Sequence, residues 1–271
     1  MVDSLEDSLS QIIQAVQKST KYKHVDPNLI RSLGSQALTR QSNLKTAIKS
    51  TKNKLHQIGG AYWQHKTHYA KWLNELENAS RSESPQDLRT VCAEIMAYHA
   101  STQERLPMLE HFYCKLFNVL PPVGSILDLA CGLNPLAIPW MPLTSETHYY
   151  TCDIYQDTID FLNQFLHLIN QKGNAQVCDI IHHCPTQAVD VAFVLKTLPC
   201  LEQVHQSAGV QLLENINASI MLVSFPVRSL TGKNKGMSTH YEVNFREKIQ
   251  DKNWSIERLE FPSELVFIVK K

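Results

Sequence analysis

The chain has 271 residues, of which 43% are hydrophobic and 19% are charged, and its formal net charge is zero. This length and composition predict a globular protein with one large or two modest domains. No apolar run reaches the roughly 18 residues of a membrane span, and residues 1–20 contain early acids and no apolar segment typical of a secretory signal. We therefore expect neither a membrane protein nor a secreted one.

Seven cysteines occur at irregular spacings without a CxxC pair, which predicts reduced thiols in a cytoplasmic protein. His182, His183 and Cys184 are adjacent in the sequence and resemble metal ligands, but no further ligands lie near them. We therefore expect no metal site.

Residues 1–98 are predicted to be helical throughout. Apolar residues recur at helical spacing, and Asp26-Pro27 combines a capping residue with a proline at the first helical position. Gly59-Gly60 predicts the end of one helix, and Ser84-Pro85 predicts the start of another. We expect an all-helical domain over residues 1–98, followed by a second domain over residues 99–271.

Positive charge is concentrated in the predicted helical domain. Between Lys18 and Lys71 there are eleven basic residues and one acid, Asp26, a net charge of +10 that the rest of the chain balances. A solvated helix face usually mixes signs, whereas a block of one sign favours a polyanion such as a nucleic acid. The lysines that we expect to contact RNA in this block are Lys45, Lys49, Lys52, Lys54 and Lys66.

The second half alternates between strands and helices. Ser101 and Glu104 are spaced as a capping box, which predicts a helix over residues 99–118. Alternating strands and helices predict a parallel sheet, and the short link 261–263 predicts that the last two strands form a hairpin. This α/β architecture is the Rossmann-like sheet of S-adenosylmethionine-dependent methyltransferases, with a C-terminal antiparallel strand. The predicted strands are 125–131, 148–154, 175–180, 189–195, 218–227, 254–260 and 264–270, and the predicted helices are 156–170, 200–215 and 239–252.

The turn after the first predicted strand indicates a ligand site. Residues 125–141 read SILDLACGLNPLAIPWM, an apolar strand followed by small residues that allow a ligand to approach the backbone. Neither GxGxxG nor GxxxxGK[ST] occurs, which disfavours a dinucleotide or a nucleoside triphosphate. Taken alone, the stretch is equally typical of a buried strand with an ordinary turn.

Three acids end the first three predicted strands and should meet at one edge of the sheet: Asp128, Asp153 and Asp179. A carboxylate after the second strand suits the hydroxyls of a ribose, and one after the third can accept from an exocyclic adenine amine. Arg105 would then grip a carboxylate, although a surface arginine is the simpler interpretation. Together these residues predict a pocket for adenosine with an amino-acid tail.

Five motifs resemble one family, the bacterial 16S rRNA guanine-N7 methyltransferases that confer aminoglycoside resistance. They are HASTQERLP (99–107), DLACGLNPLAIPWM (128–141), CDI (152–154), FVLKTLPCLEQ (193–203) and SFPVRSLTGKNKGM (224–237). The resemblance implies S-adenosylmethionine as cofactor and one guanine of the decoding A site as target. It also implies the assembled 30S subunit as partner. For an enzyme that docks on a ribosome we expect a monomer, and the cysteine pattern predicts that it is cytoplasmic.

The resemblance implies roles for particular residues. Arg105 would hold the methionine carboxylate, Asp153 the ribose and Asp179 the adenine. The residues implied to bind the cofactor are His99, Thr102, Arg105, Asp128, Ala130, Gly132, Asp153, Ile154, Asp179, Ile180 and Leu195.

The expected chemistry requires no general base, because guanine N7 attacks a sulfonium methyl through a lone pair that carries no proton. Catalysis should then rest mostly on positioning. We expect Lys196 and Arg228 to position the target, with solvated surface charge as the alternative for each. Further RNA contacts are expected from Lys233, Lys235 and Met237.

Two other functions remain open from the sequence. A small-molecule methyltransferase could use the helical domain as a lid, although the net charge of +10 between residues 18 and 71 is awkward for that role. A non-catalytic RNA-binding protein could retain a relict pocket, but the intact acids argue against it.

Overall fold

A computed structural model describes residues 2–41, 43–227 and 237–271. Its centre is a seven-stranded sheet with the order β3-β2-β1-β4-β5-β7-β6. Strand β7 runs antiparallel to both of its neighbours, whereas β3, β2, β1, β4 and β5 are mutually parallel. The strands are β1 Ser125–Leu129, β2 His148–Asp153, β3 Lys172–Val177, β4 Val189–Leu195, β5 Ala218–Pro226, β6 Ser255–Glu260 and β7 Glu264–Lys270.

Helices cover both faces of this sheet and make up the N-terminal third of the chain. A π-helical turn, His56–Gly60, follows α3, and a long 3₁₀ turn, Asn134–Trp140, follows β1. The α-helices are α1 Val2–Gln17, α2 Pro27–Arg40, α3 Leu44–Leu55, α4 Tyr69–Ser80, α5 Pro85–Met96, α6 Ala100–Gln103, α7 Leu109–Val119, α8 Gln156–Leu168, α9 Leu198–Glu202, α10 Ala208–Asn215 and α11 Met237–Ile249.

The central strands are apolar because both of their faces are covered. β4 reads VDVAFVL and is buried at every position except Asp190, as expected for a parallel strand packed between two helical layers. Because these strands are parallel, the carboxyl ends of β1, β2, β3 and β4 lie at one edge. The predicted fold class is confirmed: a mostly parallel α/β sheet with a C-terminal antiparallel strand, preceded by helices.

The N-terminal helices divide between two hydrophobic cores. Helices α1 to α3 enclose a small core of their own, which includes Ile12, Leu29 and Leu55. Helices α4 and α5 instead contribute Trp72 and Ile95 to the large core on one face of the sheet. The division at residues 98 and 99 predicted from the sequence therefore does not coincide with a boundary of the hydrophobic core.

Three local predictions are wrong. The segment 99–118 is not one helix: α6 ends at Gln103, a 3₁₀ turn spans Leu106–Met108, and α7 begins at Leu109. Ser101 is not a cap, since His99 occupies the N-cap position with extended backbone angles and no capping hydrogen bond from its side chain. The segment 200–215 likewise forms two helices, α9 and α10.

A short backbone bridge joins the small helical core to the sheet. Val25 pairs antiparallel with Tyr155 just after β2. The amide of Asp26 donates to the carbonyl of Ile154 at 2.9 Å, and the amide of Gln156 donates to the carbonyl of His24 at 2.8 Å. The start of α2 is thus fixed at the carboxyl end of β2.

Within the described part of the chain, no helix is long and apolar enough to cross a membrane.

Candidate functional site

A cavity with about 740 Å³ of empty space, part of it open to solvent, lies at the carboxyl edge of the sheet. This is the edge at which α/β sheets usually hold ligands. Its walls come from two parts of the chain. The N-terminal part contributes Leu29, Ile58, Gly59, Tyr62 and Trp63, and the sheet edge contributes Ala130, Gly132, Asp153, Ile154, Tyr155, Asp179, Ile180, Leu195, Lys196 and Cys200, among others.

The turn after β1 forms one wall of this cavity through its backbone. Ala130 and Gly132 have φ values of 51° and 53°, in the left-handed region. A Cβ atom on Gly132 would lie 2.7 Å from Cε1 of His99, so both the backbone angle and the space require glycine. The small residues that the sequence places here therefore permit a tight turn against the imidazole.

Asp153 connects this turn to the end of β2. Its carboxylate accepts from the amide of Gly132 at 2.9 Å and from the amide of Ile154 at 2.7 Å. Burial raises the pKa of Asp153, and these backbone donors oppose the rise. The carboxylate is held firmly in the cavity wall and keeps lone pairs for a ligand's hydroxyl groups.

Asp179 lies in the turn that follows β3, two residues beyond the end of the strand. Its Oδ1 accepts from the amide of Ile181 at 3.0 Å, and its Oδ2 lies 2.6 Å from Nδ1 of His182. The side chain is buried and lines the cavity. Asp153 and Asp179 thus present two carboxylates at neighbouring strand ends, as predicted.

His99 is an imidazole enclosed by aromatic rings. It stacks on Tyr62 with ring centroids 5.7 Å apart, and the edge of Trp63 approaches it at 5.1 Å. Burial, together with the positive charges of Lys196 and Arg105, lowers the pKa of His99 to about 3. The ring is therefore neutral at ordinary pH.

Two buried polar atoms have no hydrogen-bond partner in the described part of the chain: Nδ1 of His99 and the hydroxyl of Tyr155. Both residues line the cavity. Buried polar groups are nearly always satisfied, so these two atoms indicate a ligand that completes their hydrogen bonding.

Arg105 was expected to hold a ligand carboxylate, but its side chain does not line the cavity. Its side chain is fully buried, and its Nε and Nη2 donate to the two carboxylate oxygens of Glu264 at 3.0 and 2.8 Å. Its Nη1 donates to Asn134 Oδ1 at 2.7 Å. Three of its five N–H donors are thus engaged within the protein, and the buried side chain does not reach the cavity lining in this arrangement.

Asp128 and Thr102 were also expected to bind the cofactor, but both are buried and engaged within the protein. Asp128 is buried beneath the cavity, where Asn134 Nδ2 and the hydroxyl of Tyr149 donate to its Oδ2 at 2.9 and 2.7 Å. Burial raises the pKa of Asp128 to about 6. The Thr102 hydroxyl donates to the carbonyl of Met96 at 2.6 Å. Neither residue lines the cavity.

Lys196 follows β4 with a φ of 59°, an uncommon conformation for a residue with a side chain. Its ammonium lies 2.6 Å from Glu104 Oε2 and 3.6 Å from Glu264 Oε2. Lys196 lines the cavity, yet its charge is already paired. Strained backbone of this kind concentrates at functional sites.

Of the residues predicted to bind the cofactor, eight line the cavity and three do not. Arg228, Lys233 and Lys235 lie outside the described residues, and so does the side chain of Met237. The eight that line the cavity are His99, Ala130, Gly132, Asp153, Ile154, Asp179, Ile180 and Leu195.

The sequence prediction missed the cavity residues that precede α4. Gly59 was predicted only as the end of a helix, and Tyr62 and Trp63 as the start of a helix over residues 62–76, whereas α4 begins at Tyr69. The amide of Ala100 donates to the carbonyl of Tyr62 at 2.9 Å, which brings this segment beside His99. The cluster of aromatic residues and histidines directly after Gly59-Gly60 is the signal that could have indicated them.

Four of the five lysines in the predicted basic surface lie on α3. Lys45 and Lys49 are exposed, and Lys52 is half-buried. Lys54, also half-buried, donates to the carbonyl of Gln203 near α9. Lys66 is exposed in the segment between the π-helical turn and α4. The basic surface therefore lies close in the chain to the cavity residues Ile58 to Trp63.

Comparison with known proteins agrees with this geometry. The sequence model of the family described as ribosomal RNA methyltransferase (FmrO) matches residues 18–268. The chain is 35% identical over 268 residues to a 16S rRNA (guanine(1405)-N(7))-methyltransferase of Micromonospora echinospora, covering 98% of both chains. It is also 35% identical to the protein of the same name from Frankia casuarinae, covering 100% of this chain and 96% of that one. The structure resembles the 16S rRNA methyltransferase RmtF in complex with S-adenosyl-L-homocysteine, with a TM-score of 0.85, 27% identity and coverage of 97% and 98%.

Proposed function

The chain belongs to the FmrO family of ribosomal RNA methyltransferases, and from this premise we propose that it methylates N7 of guanine 1405 in 16S rRNA, the position named for its relatives. The observation that carries the proposal is the cavity itself. Two carboxylates and a small-residue turn form its sheet side, and the segment that follows the basic helix α3 forms its other side.

S-Adenosylmethionine is the methyl donor, and it supplies an electrophilic methyl group on a sulfonium. Asp153 would accept from the ribose hydroxyls, and Asp179 would accept from the adenine amine. Nδ1 of His99 and the hydroxyl of Tyr155 are the unsatisfied groups that the cofactor would complete. The turn at Ala130 to Gly132 has no phosphate-binding pattern, in keeping with a cofactor that lacks phosphates.

The residues of the site perform positioning rather than proton transfer. Guanine N7 attacks through a lone pair, so no proton has to be removed. His99 is a poor base because its pKa is about 3, and a neutral imidazole does not repel a nearby cation. The side-chain nitrogen of Lys196 is engaged by the carboxylates of Glu104 and Glu264, and we assign it no part in proton transfer. Alignment of the reacting atoms is the main contribution of the protein.

The substrate is the 30S subunit, and the basic surface formed by Lys45, Lys49, Lys52, Lys54 and Lys66 contacts its RNA. Lysines near phosphates supply affinity that depends on salt rather than on base sequence. The target guanine has to leave the base stack to reach the cavity, as other base-modifying enzymes require. Lys196, Arg228, Lys233, Lys235 and Met237 then receive the extruded nucleotide. The enzyme acts in the cytoplasm as a monomer.

Methylation at this position gives resistance to aminoglycosides that bind the A site. A methyl group at N7 adds bulk and a positive charge to the major-groove edge of the guanine, which removes a hydrogen-bond acceptor. Cationic drugs that rely on that edge lose affinity.

The test is mass spectrometry of 16S rRNA from 30S subunits that have been incubated with the chain and S-adenosylmethionine. We expect a single N7-methylguanosine at position 1405, formed more slowly by the Asp153→Ala variant when the cofactor is limiting. Free 16S rRNA and small-molecule acceptors serve as comparison substrates. Modification at another nucleotide or atom would refute the assigned target, and methylation of small acceptors alone would support a small-molecule methyltransferase instead.

A further inference from the structure

A chain of three side chains leads from the cavity to the N-terminal helices. Oδ2 of Asp179 lies 2.6 Å from Nδ1 of His182, and Nε2 of the same ring lies 2.9 Å from the hydroxyl of Ser32 on α2. Asp179 lines the cavity, whereas Ser32 belongs to the helical part that carries the basic surface. The imidazole therefore connects the two parts of the chain.

The chemistry of these groups fixes the direction of the hydrogen bonds. An ionised carboxylate can only accept, so the proton of the ring lies on Nδ1 and is donated to Asp179. In the neutral ring Nε2 then accepts from the Ser32 hydroxyl, and in the charged ring it donates to that oxygen. In either state Ser32 holds the ring in the plane that aims Nδ1–H at the carboxylate.

The turn after β3 makes this arrangement rigid. The amides of His182 and His183 donate to the carbonyl of Asp179 at 3.2 and 2.9 Å, and Ile181 packs on the core of α1 to α3. The Asp179 carboxylate thus has two protein donors, Ile181 N and His182 Nδ1. A carboxylate has about four acceptor positions, so about two remain for a ligand amine.

We propose that His182 is a positioning residue for cofactor recognition: its ring aims the Asp179 carboxylate at the exocyclic amine of adenine, and Ser32 aims the ring. The inference rests on the proposed function, because it takes adenine as the group that Asp179 reads. Recognition of the adenine base would then also depend on α2, a helix of the N-terminal part. Removal of an orienting donor leaves the carboxylate free to turn and weakens its selectivity for an amine over a carbonyl.

The experiment compares two ligands that differ only at the edge that Asp179 reads. S-Adenosylhomocysteine carries an amine there, and S-inosylhomocysteine carries a carbonyl. Isothermal titration of the full chain gives both dissociation constants, and their ratio measures selectivity for the amine. His182→Leu removes both ring nitrogens, and His182→Asn keeps an N–H donor close to the position of Nδ1. His183→Leu is the matched control, because the adjacent His183 is exposed and contacts Asp179 only through its backbone.

We expect the wild type to favour S-adenosylhomocysteine, and His182→Leu to lower that affinity about tenfold, the effect of losing one charge-assisted hydrogen bond. Affinity for S-inosylhomocysteine should stay the same, so that the selectivity ratio falls. His182→Asn should retain the selectivity to within about threefold, and Ser32→Ala should lower it about threefold, since a lost neutral hydrogen bond costs less than a charged one. Asp179→Ala should show the largest loss of selectivity for the amine, and His183→Leu should have the same selectivity as the wild type.

Unchanged selectivity in His182→Leu overturns the inference, and so does an equal loss of affinity for both ligands, which would indicate general support of the turn. Equal binding of the two ligands by the wild type also overturns it while leaving the methyltransferase function intact. Failure of the wild type to bind S-adenosylhomocysteine at all would instead contradict the proposed function. Because His182 is 38% exposed, its substitution should not prevent folding.

Discussion

Arg105 and Glu264 form a bidentate ion pair with both side chains fully buried, although they lie 159 positions apart in the chain. Burial alone would lower the pKa of Arg105 and raise that of Glu264. Their mutual attraction outweighs this effect, so that the pKa of Arg105 is raised and that of Glu264 is lowered. The hydroxyl of Ser224 also donates to Glu264 at 2.5 Å. The pair joins the segment before β1 to the first residue of β7.

Glu264→Ala should lower the free energy of unfolding by about 3–5 kcal/mol, because it leaves the buried guanidinium without its counter-ion. Denaturant titration followed by circular dichroism measures the change. The control is Glu146→Ala, which breaks an ion pair with Lys172 whose side chains are 77% and 45% exposed. That change should cost about 1 kcal/mol or less. Comparable losses in the two variants would contradict the structural role assigned to the buried pair.

Stability should depend on pH through His99. The unfolded chain protonates this imidazole near pH 6.5, whereas burial lowers its pKa in the folded state to about 3. Between these values the unfolded state binds more protons, so the contribution of His99 is complete above pH 6.5 and is lost as the pH falls. From pH 7.5 to pH 5 the loss should be about 2 kcal/mol, at about 1.4 kcal/mol per pH unit.

The measurement for His99 compares the wild type with His99→Asn, which cannot take up this proton. Denaturant midpoints at pH 5, 6, 7.5 and 8.5 give the difference in unfolding free energy between the two proteins. The difference should shift in favour of the variant as the pH falls to 5 and stay constant between pH 7.5 and 8.5. A difference that does not change with pH would show that the buried ring does not titrate in this way.

Asp153→Ala should lower affinity for S-adenosylhomocysteine at least about tenfold, since a carboxylate that accepts from ligand hydroxyls contributes roughly 1.5–3 kcal/mol. Isothermal titration measures the affinity. Asp190→Ala is the matched control, because Asp190 also accepts from backbone amides, those of Gly124 and Ser125 at 2.8 Å, but lies at the start of β4. Loss of cofactor affinity in Asp190→Ala equal to that in Asp153→Ala would argue against a direct contact.

Replacing Lys45, Lys49 and Lys52 together by alanine should weaken binding to 30S subunits without changing cofactor affinity. The slope of log K against log salt should fall by roughly one for each lysine that contacts a phosphate. Fluorescence polarisation across a salt series measures the affinity for 30S subunits and the slope of its salt dependence. Lys172→Ala with Lys252→Ala is the control, because each of these lysines is already paired with an acid, Glu146 and Glu214. An unchanged salt slope in the triple variant would place the RNA contacts elsewhere.

The strands and the acids at their ends were predictable from local pattern. Apolar runs located all seven strands to within a few residues, and the rule that parallel strands end together brought Asp153 and Asp179 to one edge. Gly132 was predictable as a close backbone approach. These features depend on residues that are neighbours in the sequence or on topology that follows from alternating elements.

The partners of Arg105 were not predictable in this way. Nothing near Arg105 in the sequence indicates Glu264, and an arginine beside a predicted ligand site is equally suited to a ligand carboxylate. The capping box at Ser101 failed for a similar reason, since the pairing of Trp63 with His99 sets where α6 begins. Contacts between distant segments override local preference at both places.

Leu29, Ile58, Tyr62 and Trp63 place side chains from the N-terminal helical part directly on the cavity wall. This arrangement has a consequence for inhibitor design. A competitor that occupies only the sheet side would meet features shared by many enzymes that use an adenosyl cofactor. A compound that extends from Asp153 to the edge of Trp63 would engage residues that enzymes without these helices lack, so potency and selectivity could be optimised on opposite walls of the same cavity.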